Sequence, residues 1–412
     1  MTDREILRDV AQRVREISLR EDQSEKVRLW KACNDLKPIR PMVFTDPQGG
    51  WSDIEREWIE LECVDQNARE LELELRRIVV RDEHIPDDFP IDDVYRVEPI
   101  VEGGGYNDYG VPLLSTMPEE SHGAYHIDPV ITSAEDMGKL RPRPIHLDGA
   151  ATKEHCEIVE DQIGDILRVR RVGRSFWRYG LTRVLIHMRG FEQMLLDFYE
   201  NPSILRSLMQ FLMDDYLREL QIYEREGAIG SSNFPQFALG SGGLGFCSDL
   251  PTEADLDNRV ETKQSVAWGE SQETVGVGPD QFEEFVLKYQ LPLLRRFGLV
   301  DYGCCEGLET KVDLLIDKIP NLRWISVSTW ADRERMAERI DGKYVYVYKP
   351  NPATICAGTP DWDSARGEIR ETLEIVGDAP IHLVMKDTKT FQNDPGRITE
   401  WCRMAKDLAC YG

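Results

Sequence analysis

Apolar residues recur along this chain with two spacings, and each spacing predicts a type of element. Over residues 3–36 they lie three or four positions apart, which predicts one or two amphipathic helices. A first strand is predicted over 37–46, because a short apolar run there ends in Asp46 and a glycine-rich turn. Further strands are predicted over 94–102 and 166–172, and a long helix is predicted from Asn201 to about Gly227.

From residue 299 onward the alternation of strands and helices becomes regular. The predicted strands are 322–328, 344–348 and 381–385, and the predicted helices are 309–318, 331–340, 362–376 and 394–410. Short strands that alternate with helices of ten or more residues indicate parallel βα units. We therefore predict an α/β fold, a (β/α)8 TIM barrel over 37–412 with an N-terminal helical extension over 1–36.

The charge of the chain excludes several classes of function. Lys and Arg number 50 against 75 Asp and Glu, so the formal charge of -25 repels nucleic acid and anionic membranes. The first residues are charged throughout, and no later run approaches the length of a membrane span. We expect a cytoplasmic protein that binds neither nucleic acid nor membranes, with its cysteines reduced.

The stretch from Leu299 to Gly307 carries the most concentrated candidate chemistry. An apolar run ends there in Cys304, Cys305 and Glu306. If the strand alternation continues, Tyr302, Cys304 and Glu306 share one face. Adjacent cysteines are badly placed to form a disulfide with each other, which leaves a metal site or a buried strand end as the two interpretations.

Other predicted strands also end in polar residues. Since loops that follow parallel strands open on the same rim, one cavity should gather these residues. They are Asp46, Glu270, Gln272, Cys304, Cys305, Glu306, Lys349, Asn351, Lys386 and Asp387. The repetition favours an active or metal site, although Asp46 taken alone could be a turn cap.

Aromatic and cationic side chains accompany this rim in the sequence. Trp51, Tyr106 and Trp268 could bind a planar ligand, or they could belong to the core or a surface loop. A second group contains Arg171, Arg174, Arg178 and Arg183. Guanidinium groups beside aromatic rings suit a carboxylate ligand, and they suit a protein interface equally well.

Several motifs together resemble the uroporphyrinogen decarboxylase superfamily, which includes zinc- and corrinoid-dependent methyltransferases. They are Arg189-Gly-Phe-Glu192, Phe198-Tyr-Glu-Asn-Pro202, the stretch from Gly278 to Tyr289, Tyr302-Gly-Cys-Cys-Glu306, Lys349-Pro-Asn-Pro352 and Ala357-Gly-Thr-Pro360. They span roughly residues 180–400 in the family order. The resemblance implies a (β/α)8 barrel with its site at the carboxyl ends of the strands.

Within this superfamily, the methyltransferases resemble the sequence more closely than the decarboxylases do. Cys304 matches a zinc-binding cysteine of that branch, Tyr302 stands where the branch has a histidine, and Lys386-Asp387 lies near the place of its later cysteine. The resemblance thus implies zinc, with Cys304 and Glu306 as ligands and Cys305 and Asp387 as further candidates.

The reaction implied is methyl transfer from a small methylated donor, for which we expect a methoxylated aromatic, to the Co(I) corrinoid of a carrier protein. Zinc would stabilise the leaving oxygen, and Glu270, Lys349 or Lys386 would protonate or orient it. The expected substrate-binding residues are Asp46, Trp51, Tyr106, Trp268, Gln272, Tyr302 and Asn351. The expected partners are the carrier protein and the methyl donor, and a homodimer is left open.

Two alternatives come from other classes. One is a metal-independent decarboxylase of a polyacid such as a carboxylated tetrapyrrole, which would use the arginines between 171 and 183. The other is a non-catalytic barrel that binds a corrinoid protein or a small ligand.

Overall fold

Seven parallel strands form the central sheet of this protein, in the order β1-β13-β12-β11-β10-β9-β8. The computed structural model describes residues 1–105, 108–112, 114–116, 126–256 and 259–411. The strands are β1 (Met42–Thr45), β2 (Val94–Val97), β3 (Ile100–Gly103), β4 (Leu114–Thr116), β5 (His126–Asp128), β6 (Ile145–Asp148), β7 (Arg168–Arg171), β8 (Trp177–Tyr179), β9 (Val266–Gly269), β10 (Leu299–Tyr302), β11 (Leu322–Ser328), β12 (Val345–Lys349) and β13 (Ile381–Met385).

Helices connect these strands along most of the chain. They are α1 (Asp3–Ser18), α2 (Glu21–Asn34), α3 (Trp51–Trp58), α4 (Gln66–His84), α5 (Gly149–Ile163), α6 (Leu181–Arg189), α7 (Phe191–Asp197), α8 (Pro202–Arg225), α9 (Pro279–Phe282), α10 (Lys288–Leu294), α11 (Val312–Lys318), α12 (Arg333–Ile340), α13 (Ala353–Cys356), α14 (Trp362–Val376) and α15 (Gly396–Tyr411). The regular βα alternation predicted after residue 299 is confirmed, because β10 to β13 pair in parallel with helices between them. None of the described helices combines the length and apolarity that crossing a membrane requires.

The concave face of the sheet encloses a core of its own. Side chains from alternate strand positions, among them Phe44, Trp324, Val347 and Val384, pack there against Trp30 of α2. Since side chains alternate along a strand, the intervening residues pack outward against the surrounding helices.

Helix α2 closes the amino-terminal end of this core. The side-chain oxygen of Asn34 accepts a hydrogen bond from the indole of Trp324 (2.8 Å) and contacts the ring of His382 (3.1 Å). The segment 1–36 predicted as an extension therefore includes a helix that packs into the central core. The boundary between the two predicted domains stays a prediction.

A hairpin over residues 237–245 fills the concave side of the sheet. A Cβ on its Gly240 would collide with Trp268 of β9, and a Cβ on Gly242 would lie 2.6 Å from Val384 of β13. In a flat sheet β9 and β13 would be about 19 Å apart, at roughly 4.8 Å for each strand step. The sheet must therefore curve around the hairpin for both strands to touch it.

The predicted strand over 94–102 is not part of the central sheet. It divides into β2, which pairs with β7, and β3, which pairs antiparallel with β6. The strands of the central sheet are buried on both faces, whereas β7 carries exposed arginines and β3 is exposed along its length. An apolar run thus predicted the strands here but not the sheet that they join.

Candidate active site

Hydrogen bonds join the loops after several strands of the central sheet into one rim. After β9, the backbone N–H of Ser271 donates to Glu306, which follows β10 (3.0 Å). The Cys305 thiol, also after β10, donates to the carboxylate of Asp387 after β13 (3.3 Å). The structure therefore brings together candidates that lie as many as 82 residues apart in sequence.

The strand alternation predicted for residues 302–306 breaks at Gly303. That residue has φ of 103°, in the region that favours glycine, and β10 ends one residue before it. Tyr302 consequently points outward, where its hydroxyl donates to Gln290 of α10 (2.7 Å) and is fully buried. Tyr302 thus packs β10 against α10, and its hydroxyl also lies 3.5 Å from Ser271 Oγ at the rim, so its role in substrate binding stays a prediction.

Glu306 holds the backbone of this rim. One carboxylate oxygen accepts from the N–H of Cys304 (2.8 Å), and the other accepts from the N–H of Ser271 (3.0 Å). The residue is fully buried. Because each oxygen accepts from a backbone amide, Glu306 acts as a clamp between two loops. Its role as a metal ligand stays a prediction.

The two thiols and Asp387 form a row at the rim. Cys304 Sγ lies 3.5 Å from Cys305 Sγ, which lies 3.3 Å from Asp387 Oδ2. The contact with Cys305, followed by the nearby Lys349 and Lys386 ammonium groups, lowers the pKa of Cys304. The same contact raises the pKa of Cys305. Cys304 is therefore the thiol that ionises first.

These donors do not form a ready-made zinc site. Zinc takes thiolate, imidazole and carboxylate ligands in a tetrahedral arrangement. Over the ranges that the structure describes, no group of three His, Cys, Asp or Glu side chains is placed to hold a metal ion. With Glu306 bound to amides, Cys304, Cys305 and Asp387 remain as donors, and their role as ligands stays a prediction.

Two buried lysines extend from β12 and β13 toward the same rim. The ammonium of Lys349 donates to the Cys304 carbonyl and to the hydroxyl of Ser326 (2.6 Å). That of Lys386 donates to the Gly240 carbonyl (2.5 Å). Both lysines are less than a tenth exposed, and neither forms an ion pair with a carboxylate of the described residues. Their hydrogen-bond acceptors are thus neutral oxygens, while the buried Asp301 carboxylate lies close enough to interact with both charges.

Glu270 is the best-placed proton carrier at the rim. Its fully buried carboxylate accepts from the guanidinium of Arg178 (2.7 Å). Burial, followed by the neighbouring Glu273 carboxyl, raises the pKa of Glu270 to about 7, although Arg178 opposes the shift. A Cβ on Gly180 would collide with the Glu270 carboxylate, so this glycine leaves the space that the ion pair occupies. A carboxyl group with a pKa near neutrality can act as a general acid or base.

Asp301 is a buried carboxylate that the sequence analysis did not select. It lies within β10, and its oxygens accept from the N–H of Ser241 (2.8 Å) and from the Ser241 hydroxyl. Burial raises its pKa to about 6. An aspartate inside an otherwise apolar strand was the available signal, since a charge is seldom placed on a buried strand without a partner.

A cavity of about 360 Å3 opens beside the rim. Its lining includes Asp46, Phe176, Gln236, Trp268 and Lys386. Three of these were predicted as site residues, and the structure places them together. Phe176 and Gln236 were not predicted, because they lie outside the strand ends on which the sequence analysis relied.

Other predicted substrate-binding residues have structural partners. Trp51 stacks below the guanidinium of Arg77 (5.5 Å), and the Asn351 side chain caps α13 by accepting from Ala353 N–H (3.0 Å). Gln272 remains at the rim, where its backbone N–H lies 3.4 Å from a Glu270 oxygen. Tyr106 lies outside the described residues.

The arginines predicted as one group are dispersed in the structure. Arg174 pairs with Glu219 (2.7 Å) in a buried network with Arg143, and Arg171 lines a different cavity. Arg178 contacts the candidate rim through Glu270. Arg171, Arg174 and Arg178 therefore do not form the single cluster that was predicted for a polyacid substrate.

Comparisons with known proteins add little to this geometry. No family model matches the sequence, and no curated protein matches it. Among solved structures, a methyltransferase from Methanosarcina mazei is similar, with 12% identity and a TM-score of 0.48 over 90% of this chain and 96% of that chain. A likeness of this strength leaves the function to be inferred from the chain's own residues.

Proposed function

We propose that this protein is an enzyme that moves a methyl group from a small methoxylated aromatic to the Co(I) corrinoid of a carrier protein. The observation that carries the proposal is the placement of an acid–base group, the Glu270–Arg178 pair, at the same rim as the Cys304–Cys305 thiols and beside a cavity with aromatic walls. The resemblance of residues 180–400 to corrinoid-dependent methyltransferases supplies the reaction class.

The difficult step in such a reaction is the departure of the oxygen. The carbon–oxygen bond breaks, the methyl carbon bonds to the Co(I) of the acceptor with cobalt's electron pair, and the oxygen keeps the old bonding pair. That oxygen leaves poorly unless it receives a proton. Glu270 can hold this proton near neutral pH, and Arg178 can orient its carboxyl group.

The proposal includes a closed (β/α)8 barrel as the scaffold. Its support is the curvature of the seven-stranded parallel sheet and the hairpin 237–245 enclosed by it. The chain between β8 and β9 would complete the circle, because a bridge joins Arg174, ahead of β8, to Ile229 in parallel. A barrel opens at the carboxyl ends of its strands, where a bulky carrier protein could dock.

Zinc is a separate part of the proposal, with Cys304, Cys305 and Asp387 as the donors that could hold it. No step above depends on it, because the side chains as placed do not surround an ion. Elemental analysis of the purified protein tests this part, and we expect about one zinc per chain if the thiol loop rearranges around the ion. Protein that is folded and active without metal would remove zinc from the proposal.

The direct test is an assay with Co(I) cobalamin as the methyl acceptor. A panel of methoxyarenes and methylamines is offered to the protein, and methylcobalamin formation is followed by its absorption spectrum. We expect methylation from at least one methoxyarene, and its loss in the Glu270→Gln variant. Glu284→Gln is the matched control, since Glu284 is half exposed and pairs with Arg206 on the surface.

The outcomes also separate the alternatives. Release of carbon dioxide from a polyacid, without methyl transfer, would replace the proposal with the decarboxylase. Binding of a ligand without turnover, equally in the natural protein and in Glu270→Gln, would replace it with the non-catalytic barrel.

A further inference from the structure

The cavity beside the rim has features that specify its ligand. Aromatic rings form much of its wall, including Phe176, Phe234, Phe237 and Trp268. The Phe176 and Trp268 rings lie 5.9 Å apart, and those of Phe234 and Phe237 lie 5.8 Å apart. A volume of about 360 Å3 is at the small end of ligand cavities, which suits one substituted ring and excludes a tetrapyrrole.

Gln236 lines this cavity and carries an unused hydrogen-bonding pair. Both its amide nitrogen and its amide oxygen are shielded from solvent, and neither has a partner in the described part of the chain. A buried polar atom without a partner costs about 1–3 kcal/mol, so such atoms in native proteins are normally satisfied. The amide nitrogen of Gln236 is therefore suited to an acceptor oxygen of a ligand, including an anionic one, and its amide oxygen is suited to a ligand donor.

The charge around the cavity selects against cations. Lys386 lines the cavity and lies over the Trp268 ring (5.6 Å), and Arg178 lies over the same ring (4.7 Å). A third cation, Arg96, lies over Phe234 (4.2 Å). Protein cations thus already lie over two of the four cavity rings, Trp268 and Phe234, and they disfavour a methylated ammonium group there.

One carboxylate in the cavity wall disfavours an anionic ligand. Asp46 also lines the cavity, and its Oδ2 accepts from the Gln48 side chain (3.3 Å). Glu270 is neutralised by Arg178, whereas Lys386 donates only to a carbonyl oxygen and pairs with no described carboxylate. An anionic oxygen placed near Lys386 and Gln236, away from Asp46, would be stabilised by both.

We propose that this cavity binds the methyl donor as a single aromatic ring carrying an anionic oxygen group, with Lys386 and Gln236 as the residues that recognise that group. Only the identification of the ligand as the methyl donor rests on the proposed function. Recognition of an anionic ring is a property of the cavity and can be measured without any turnover.

The test uses three ligands that share one ring and differ in charge: 4-methoxybenzoate, 4-methoxybenzamide and 4-methoxybenzylamine. Binding to the full chain is measured by calorimetry, with quenching of tryptophan fluorescence as a second signal, in the absence of corrinoid. We expect the benzoate to bind at least ten-fold more tightly than the neutral amide, and the amine to bind more weakly than both. Equal affinity for all three, or a preference for the amine, would overturn the proposal.

Substitutions identify the recognising residues. Gln236→Leu should weaken benzoate binding about ten-fold and leave the fold unchanged, since the native amide has no partner to lose among the described residues. Gln236→Glu should remove the preference for the anion, because it adds a carboxylate of the same charge. Gln210→Leu is the matched control: Gln210 is exposed on α8, where it donates to Asp214.

A second variant tests the charge. Lys386→Met should abolish the preference for benzoate over the amide, and a thermal melt shows whether the variant is folded. If it does not fold, the Gln236 variants still decide the proposal. Benzoate binding without methyl transfer would refute the proposed function but keep this cavity, whereas methyl transfer from the methoxy group of 4-methoxybenzylamine with no benzoate binding would refute only this inference.

Discussion

Two fully buried glutamates follow neighbouring strands of the sheet, and their surroundings differ. Glu306, after β10, gives both oxygens to backbone amides. Glu270 follows β9, and one of its oxygens accepts from the movable side chain of Arg178. Its other oxygen has only a long contact with the N–H of Gln272 (3.4 Å). The first carboxylate stabilises the loops at the rim, while the second is free to exchange a proton.

The comparison teaches that burial alone does not identify a catalytic carboxylate. The carboxylate of Glu306 accepts from two fixed backbone amides, which hold it in place. Burial, followed by the neighbouring Glu273 carboxyl group, instead raises the pKa of Glu270 and keeps a proton available near neutrality.

Glu306→Ala should cause the largest loss of stability. It would leave the buried amides of Cys304 and Ser271 without acceptors, which costs about 2–6 kcal/mol for the pair. Chemical denaturation measures the change, and Glu306→Gln, which keeps one acceptor, should lose less. A stable Glu306→Ala protein that had lost only bound metal would show that Glu306 is a ligand after all.

Glu270→Gln should lose activity while keeping its fold. The amide cannot transfer a proton but can still accept from Arg178, so we expect methyl transfer to fall about 100- to 1000-fold. The pH profile of the remaining activity should lose the limb near pH 7 that belongs to Glu270. Unchanged turnover with an unchanged pH profile would place the proton donor elsewhere.

The stability of the natural protein should depend on pH through Glu270. Its pKa rises from 4.5 in the unfolded chain to about 7 in the folded one, so the folded state binds the extra proton between these values. The extra proton adds about 3 kcal/mol to the free energy of unfolding, and this gain is complete below pH 4.5. It is lost as the pH rises through 7. Glu270→Gln should flatten that part of a stability curve measured by denaturation, and a curve identical to that of the natural protein would contradict the shift.

Gly180→Ala should disturb the same site by a smaller amount. The added Cβ would push the Glu270 carboxylate from Arg178, and crowding of this kind costs about 1–3 kcal/mol. We expect reduced methyl transfer and a lowered melting temperature. Gly367→Ala is the control: it lies within α14 with nothing in reach of a Cβ, so it should keep activity and slightly raise stability.

Much of the fold could be predicted from local patterns. The alternation after residue 299 predicted β10 to β13 and their helices, because the apolar period of each element is set by its own residues. The early strand β2 was predicted as a strand, but its local pattern did not show that it pairs with β7 outside the central sheet. Sheet membership depends on which faces become buried, and that information is not local.

The candidate site could be predicted less completely. Strand ends indicated Glu270, Lys386 and the thiols, since parallel strands bring their following loops together. Asp301 and Gln236 were missed, because one lies inside a strand and the other in a loop without a recognisable pattern.

The sequence by itself determined the kind of element at each position, the acidic character of the chain and the polar residues at the strand ends. Only the tertiary structure decided which of those residues are committed to holding loops and which face a cavity. The reason is physical: a side chain's role depends on its hydrogen-bond partners, and Glu306 finds one of its two partners 35 residues away, on another loop.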